Sequence, residues 1–160
     1  MDQNLTRRAR EWTADELRRL RLHGWLSLDS VMLETGTLDH ALLGPGGFFA
    51  IDNKYRADWS SDKRDLGTIV RRSHRSADDL GVRMGLGARR ARPLVVVWGP
   101  DVHSLFPEVF DHDGVTFLRG DQLRHHVRST TCDVGDDEVR SAVAHLDYYA
   151  RWRSRTATAS

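Results

Sequence analysis

The stretch LDHALLGPGGFFAIDNKY, residues 38–55, decides the fold. Gly44, Pro45, Gly46 and Gly47 form a tight turn signal between two runs rich in apolar residues, which reads as a β-hairpin with strands at Thr37–Leu43 and Phe48–Tyr55. Phe48, Phe49, Ala50 and Ile51 are apolar in succession, the pattern of a strand covered on both faces inside a sheet. If the loop is symmetric, with two or four residues, Asp39 falls opposite Asp52. An odd loop would turn Asp39 to the other face. Opposed residues have Cβ atoms about 4.5–5.5 Å apart, so two carboxylates would repel unless a cation came between them. Side chains alternate along a strand, which puts Lys54 on the face of Asp52 and sends Ile51 and Asn53 the other way.

Outward from the hairpin, Thr6 to about Leu22 has the three-to-four spacing of an amphipathic helix ended by Gly24, and Trp25–Leu33 reads as a strand turning at Glu34, Thr35 and Gly36. A helix from about Asp62 to Met84, capped by Ser60 or Ser61, follows the hairpin, with an Arg-rich outer side. After a loop over Gly85–Arg92, Pro93–Trp98 has the β-branched run of a buried, parallel strand, and Val115–Leu118 adds another. Helices are expected over Asp121–Arg128 and Asp136–Arg153, with 154–160 a frayed tail. The order predicts an α/β fold: one domain over residues 6–153, with a central mixed sheet flanked by helices, its helical crossover right-handed.

Composition narrows the function. The 160 residues suit one domain, and 39% hydrophobic with 29% charged is ordinary globular composition. No run is apolar for long enough to span a bilayer and the N-terminus lacks a signal-peptide core, so a cytoplasmic protein with no membrane partner is expected. Cys132 is the only cysteine, which excludes an internal disulfide and a thiolate zinc site. A formal charge of +1 leaves nucleic-acid binding to a local patch. Lys54 and Lys63 are the only lysines among 24 basic residues, so a lysine beside two acids points to a site that needs a compact amine.

Asp39, Asp52 and Lys54 together suit Mg²⁺ or Mn²⁺ and phosphodiester hydrolysis. The acids would bind metal and Lys54 would position the attacking water or steady the transition-state charge. Glu11 on the first helix would complete the acidic cluster, and Arg56, Arg64, Arg71, Arg72 and Arg75 would hold the phosphate backbone of a nucleic acid. The alternative for each is a solvated surface residue. His40 is expected in a structural hydrogen bond, His125 and His126 on a solvated helix face, and Arg89, Arg90 and Arg92 in a surface loop. Trp12, Trp25, Trp59, Trp98 and Trp152 are expected in core or interface packing, with Trp59 the nearest to a base-stacking position. Tyr148, Tyr149 and Trp152 would make a homodimer face.

Residues 38–55 closely resemble the core of the nuclease-related domain, in which an Asp-His pair precedes a Gly-Pro-x-Gly turn and an acid-x-Lys motif. That family is similar to the restriction-endonuclease-like fold. The resemblance assigns the first acid to Asp39, the second to Asp52 and the lysine to Lys54, and it extends to a helix acid at Glu11. The family's usual glycine before that glutamate is Arg10 here, which leaves Glu16 as the alternative helix acid. It implies a metal-dependent nuclease; hydrolysis of DNA by an endonuclease is the leading expectation, with RNA and exonuclease action left open by the sequence. The competing expectation is a nucleic-acid-binding or protein-interaction module that keeps the fold without cleaving.

Overall fold

A computed structural model describes residues 3–58 and 63–159, without the side chains of Lys63 and Arg64. Six strands form one sheet: β1 (Leu26–Leu33), β2 (Gly36–Gly44), β3 (Gly47–Tyr55), β4 (Arg92–Trp98), β5 (Phe110–His112) and β6 (Val115–Arg119). Their spatial order is β1-β2-β3-β4-β6-β5, antiparallel over β1-β2-β3, parallel over β3-β4-β6 and antiparallel again at the β5 edge. The sheet is therefore mixed, as expected. Helices are α1 (Gln3–Arg18), continued by a 3₁₀ turn over Arg19–His23, α2 (Lys63–Arg83), α3 (Val102–Leu105), α4 (Leu123–Ser129) and α5 (Asp136–Thr158).

The apolar pattern of each element explains its seat. Ala9, Thr13, Leu17 and Leu20 recur every three or four residues and are all buried, so α1 and its 3₁₀ extension lie flat on one face of the sheet. That face supplies Leu42, Phe49, Ile51, Leu94 and Val96, and α4 closes it with Leu123 and Val127. The opposite face packs α2 and α5 through Ala77, Leu80, Met84, Ala142 and Leu146 against Ala41, Leu43, Phe48 and Ala50. β3 and β4 are thus covered on both sides, which is why their sequences are nearly unbroken apolar runs.

The β2–β3 hairpin pairs Gly44 with Gly47 across Pro45-Gly46, a two-residue loop of the even class. Glycine is required here by close approach: a Cβ on Gly44 would lie 2.4 Å from the Trp25 ring, and one on Gly46 would lie 2.3 Å from Thr130 Oγ1.

Three expectations change. Residues 154–158 continue α5 instead of fraying. The short α3 and β5 were not foreseen; β5 has only three residues and its hairpin to β6 turns at Asp113-Gly114, both at positive φ of 50° and 78°. Asp-Gly in that conformation is the type I′ signal that marks the hairpin. Tyr149 turns inward, 7% exposed, beneath the Arg83 guanidinium 4.4 Å from its ring, so only Tyr148 and Trp152 of the anticipated dimer face are exposed, and a homodimer is unsupported. No helix among the described residues is long and apolar enough to cross a membrane.

Candidate active site

At the carboxyl ends of the parallel β3 and β4 a cavity of about 350 Å³ opens between α1 and α2. Open α/β sheets commonly bind ligands at this end. Asp39, Asp52 and Lys54 all line it, joined by Arg10 of α1, by Asn53, and by Thr68 and Arg72 of α2.

An interruption in strand pairing makes room for the cavity. The β2–β3 ladder runs as far as His40 opposite Ile51, one step before Asp39 and Asp52, and stops. On the other side of β2, Asp29 pairs with His40 and Val31 with Leu38, while Ser30, at φ 53°, is left out opposite Asp39. The Asn53 N–H, released from the ladder, donates to Asp39 Oδ2 at 2.8 Å. Asp39 Oδ1 lies 2.8 Å from Arg10 Nε, an ion pair whose arginine is 55% exposed and whose aspartate is 10% exposed. A further chain supports the acid from behind. Trp98 Nε1 donates to Thr13 Oγ1 at 3.0 Å, Thr13 donates to Asn53 Oδ1, and Asn53 Nδ2 reaches Asp39 Oδ2 at 3.5 Å. Thr13 is fully buried, so each of these polar atoms depends on the others.

Asp52 is only 4% exposed, and accepts a long hydrogen bond from Ser73 Oγ at 3.4 Å. Burial pushes its carboxyl above the ordinary aspartate range; Lys54 resists and the Asp39 charge adds to the rise. Burial also pushes the Lys54 ammonium down, against the pull of Asp52, with Arg72 adding to the fall. Asp79 is the internal control. It too is buried, and burial works against its charge, but the N–H and hydroxyl of Thr35 at 3.0 and 3.1 Å and Arg83 Nε at 3.1 Å hold its carboxyl below the usual value. Hydrogen bonds offset the burial of Asp79, whereas at Asp52 burial outweighs the nearby Lys54 and Arg72 charges.

The other expected residues are scattered. Glu11 is not brought to the cavity: it is exposed and pairs with Arg7 at 3.2 Å, because the helix turns Arg10 inward at that level. Glu16, the alternative helix acid, pairs with Arg19 at 3.0 Å and Arg124 at 2.6 Å, beside a different hollow. Among the proposed phosphate-binding arginines, Arg72 and Arg56 line the cavity, with Arg56 paired to Asp65. Arg71 and Arg75 are exposed on α2, Arg71 donating to Thr68 at 3.3 Å. The Arg64 side chain, Trp59 and the capping serines Ser60 and Ser61 lie outside the described residues. His40 is buried with Nδ1 2.7 Å from Asp29, and its buried Nε2 has no hydrogen-bond partner among the described residues.

Sequence reasoning missed Arg10, Thr13 and Asn53. For Arg10 a signal existed, since a charged residue stood where the resembled pattern has glycine. For Thr13 and Asn53 there was none, as 40 residues separate two side chains that only the packing of α1 on β3 brings together.

An α/β core with an acid pair and a lysine at the open end of a mixed sheet is consistent with the restriction-endonuclease-like class. Residues 6–81, which span α1, the β1-β2-β3 meander and nearly all of α2, match the family model described as the nuclease-related domain. No curated protein and no solved structure matches the chain. The family match supports a nuclease-related function and interaction with nucleic acid.

Proposed function

We propose that the chain is a metal-dependent nuclease that hydrolyses DNA phosphodiester bonds by internal cleavage. The observation that carries this reading is the convergence of Asp39, Asp52, Lys54 and Arg72 on one cavity, around a carboxylate whose charge burial disfavours. Among the described residues no group of three or more His, Cys, Asp or Glu is placed to hold an ion. Two carboxylates nevertheless fit Mg²⁺ or Mn²⁺, which keep several waters and use substrate phosphate oxygens as further ligands. Asp39 and Asp52 would hold the ion, which when bound supplies Lewis-acid polarisation of the phosphoryl group.

The chain's own groups do the rest. Arg72 and the Lys54 amine face the same cavity and donate hydrogen bonds to the non-bridging oxygens, stabilising charge that grows in the transition state. Lys54, its ammonium weakened by burial, also orients the attacking water. Asn53 fixes the Asp39 carboxylate through its backbone N–H. Arg71 and Arg75, exposed along α2, extend a positive track for the flanking backbone.

Plasmid and single-stranded DNA incubated with Mg²⁺, Mn²⁺ or EDTA test the proposal. Asp52→Asn and Lys54→Ala are each expected to lower metal-dependent cleavage by about 100-fold or more, the scale of removing one transition-state contact. Full activity in either variant would sink it.

A second reading, a non-cleaving nucleic-acid-binding module, is favoured by Arg10, which already gives Asp39 a cationic partner. DNA retention by the wild-type protein without turnover in any metal would select it.

A further inference from the structure

Beside the charged cavity, on the α1 face of the sheet, lies a second hollow of about 600 Å³ walled by Trp12, Tyr55, Trp98 and Pro100, with Glu16 and Arg19 at its rim. We infer that it is a stacking subsite for an unpaired nucleobase next to the phosphate held by Lys54 and Arg72. The inference rests on the nucleic-acid reading of that cavity and deepens it: the preferred substrate is a single strand or an unpaired end.

Three observations carry this. The first is continuity. Tyr55 lines both hollows, follows Lys54 by one residue on β3, about 3.3 Å along the strand, and pairs with Trp98 on β4. Tyr55 is therefore a wall shared by the two hollows, past which the base of a nucleotide with its phosphate in the charged cavity would reach the aromatic one. The second is rigidity. Trp98 is held by its hydrogen bond to Thr13 at 3.0 Å and by Gly120, where an added Cβ would lie 2.0 Å from the indole ring. Trp12 meets it at 5.2 Å between centroids with a 52° tilt and stays 38% exposed. Flat, preorganised aromatic walls suit base stacking at little entropic cost.

The third is charge. Glu16 is paired with Arg19 and Arg124, and Asp15, also at the rim, with Arg18. The rim is thus neutralised by its own ion pairs, which disfavours a phosphate and favours the uncharged, planar part of a nucleotide. Glu16 at 17% exposure keeps acceptor capacity for the amino edge of a base. In a duplex every base is stacked and paired, so only an unpaired base reaches such walls without an unpairing cost.

The test is fluorescence anisotropy in EDTA with three probes: a short oligothymidylate, the same sugar-phosphate chain without bases, and a blunt duplex. Wild-type protein is expected to bind the oligothymidylate about tenfold or more tighter than the abasic strand, within the range of one base–aromatic stack. Trp12→Ala, checked for folding by circular dichroism, should erase that difference and leave abasic and duplex binding unchanged, while Trp12→Phe should restore most of it. Equal wild-type affinity for the abasic and thymidylate strands would overturn the inference, and this comparison needs no variant. So would an unchanged base preference in Trp12→Ala, or no binding of any probe. Cleavage is scored separately: Asp52→Asn losing activity while the base preference fails removes only the subsite, whereas base-dependent binding without any cleavage removes only the catalytic reading.

Discussion

Two hollows meet at the carboxyl end of β3, and they are made of opposite materials. On the α2 side the walls are Asp52 and Lys54, whose charged forms burial disfavours, and the exposed Arg72. On the α1 side they are Trp12, Trp98 and Tyr55, and the neighbouring charges are already matched. Lys54 lines only the charged hollow, while Tyr55, the next residue along the strand, borders both. Buried charge marks the first hollow, whereas rigid apolar shape marks the second. A single buried relay, Trp98 to Thr13 to Asn53 to Asp39, ties them together.

Breaking that relay gives the largest effect on the fold. Thr13→Val strands the Trp98 indole N–H and the Asn53 carbonyl, at about 1–3 kcal/mol for each buried group left unmet. Urea unfolding should show the loss, Thr13→Ser should recover most of it, and both cleavage and base preference should fall. If Thr13→Val unfolds like wild type, the two hollows are independent and the comparison collapses.

Asp52→Asn should move stability the other way. A carboxyl whose folded pKa is raised costs nothing below the unfolded value, where both states are protonated, costs more as pH climbs from the unfolded value to the folded one, and levels off above it. Without metal, the variant is therefore expected to melt higher than wild type at neutral pH, with the gap closing in acid below the ordinary aspartate pKa. Scanning calorimetry across that range checks it. A variant less stable at neutral pH would mean that Asp52 is satisfied like Asp79, and the contrast between the hollows would lose its electrostatic half. The same raised value makes metal affinity fall at a higher pH than a solvent-exposed carboxylate would give, since the ligand must be ionised.

Arg10→Ala is the smallest effect and the sharpest about this chain. The arginine of this pair is 55% exposed, so solvent screening holds the pair to about 1 kcal/mol, and freeing Asp39 from Arg10 should tighten Mg²⁺ or Mn²⁺ binding by about fivefold in titration calorimetry. Weaker binding would show that Arg10 helps to build the site instead of competing for it.

Much of the hairpin was readable before any coordinates. The even Gly44-Pro45-Gly46-Gly47 loop set the register, and alternation placed Asp52 and Lys54 on one face. Both are local rules, acting over a few residues of strand. Glu11 was misplaced because its helical phase depends on how α1 seats against β3, and there Arg10 faces the acids. β5 was overlooked because a three-residue edge strand with one partly buried side chain has almost no periodicity to read.

The amino-acid sequence thus carried the order of the elements other than α3 and β5, the mixed sheet and the juxtaposition of Asp39, Asp52 and Lys54, because strand pairing and turn chemistry are short-range. Tertiary structure alone decided which helix residue meets the acids, how Thr13 links Asn53 to Trp98 across 40 and 85 residues, and that Trp12 and Trp98 wall an open cleft. The physical reason is that these contacts depend on the angle and depth at which α1 packs on the sheet, which is set by the summed burial of many side chains and written in no single motif.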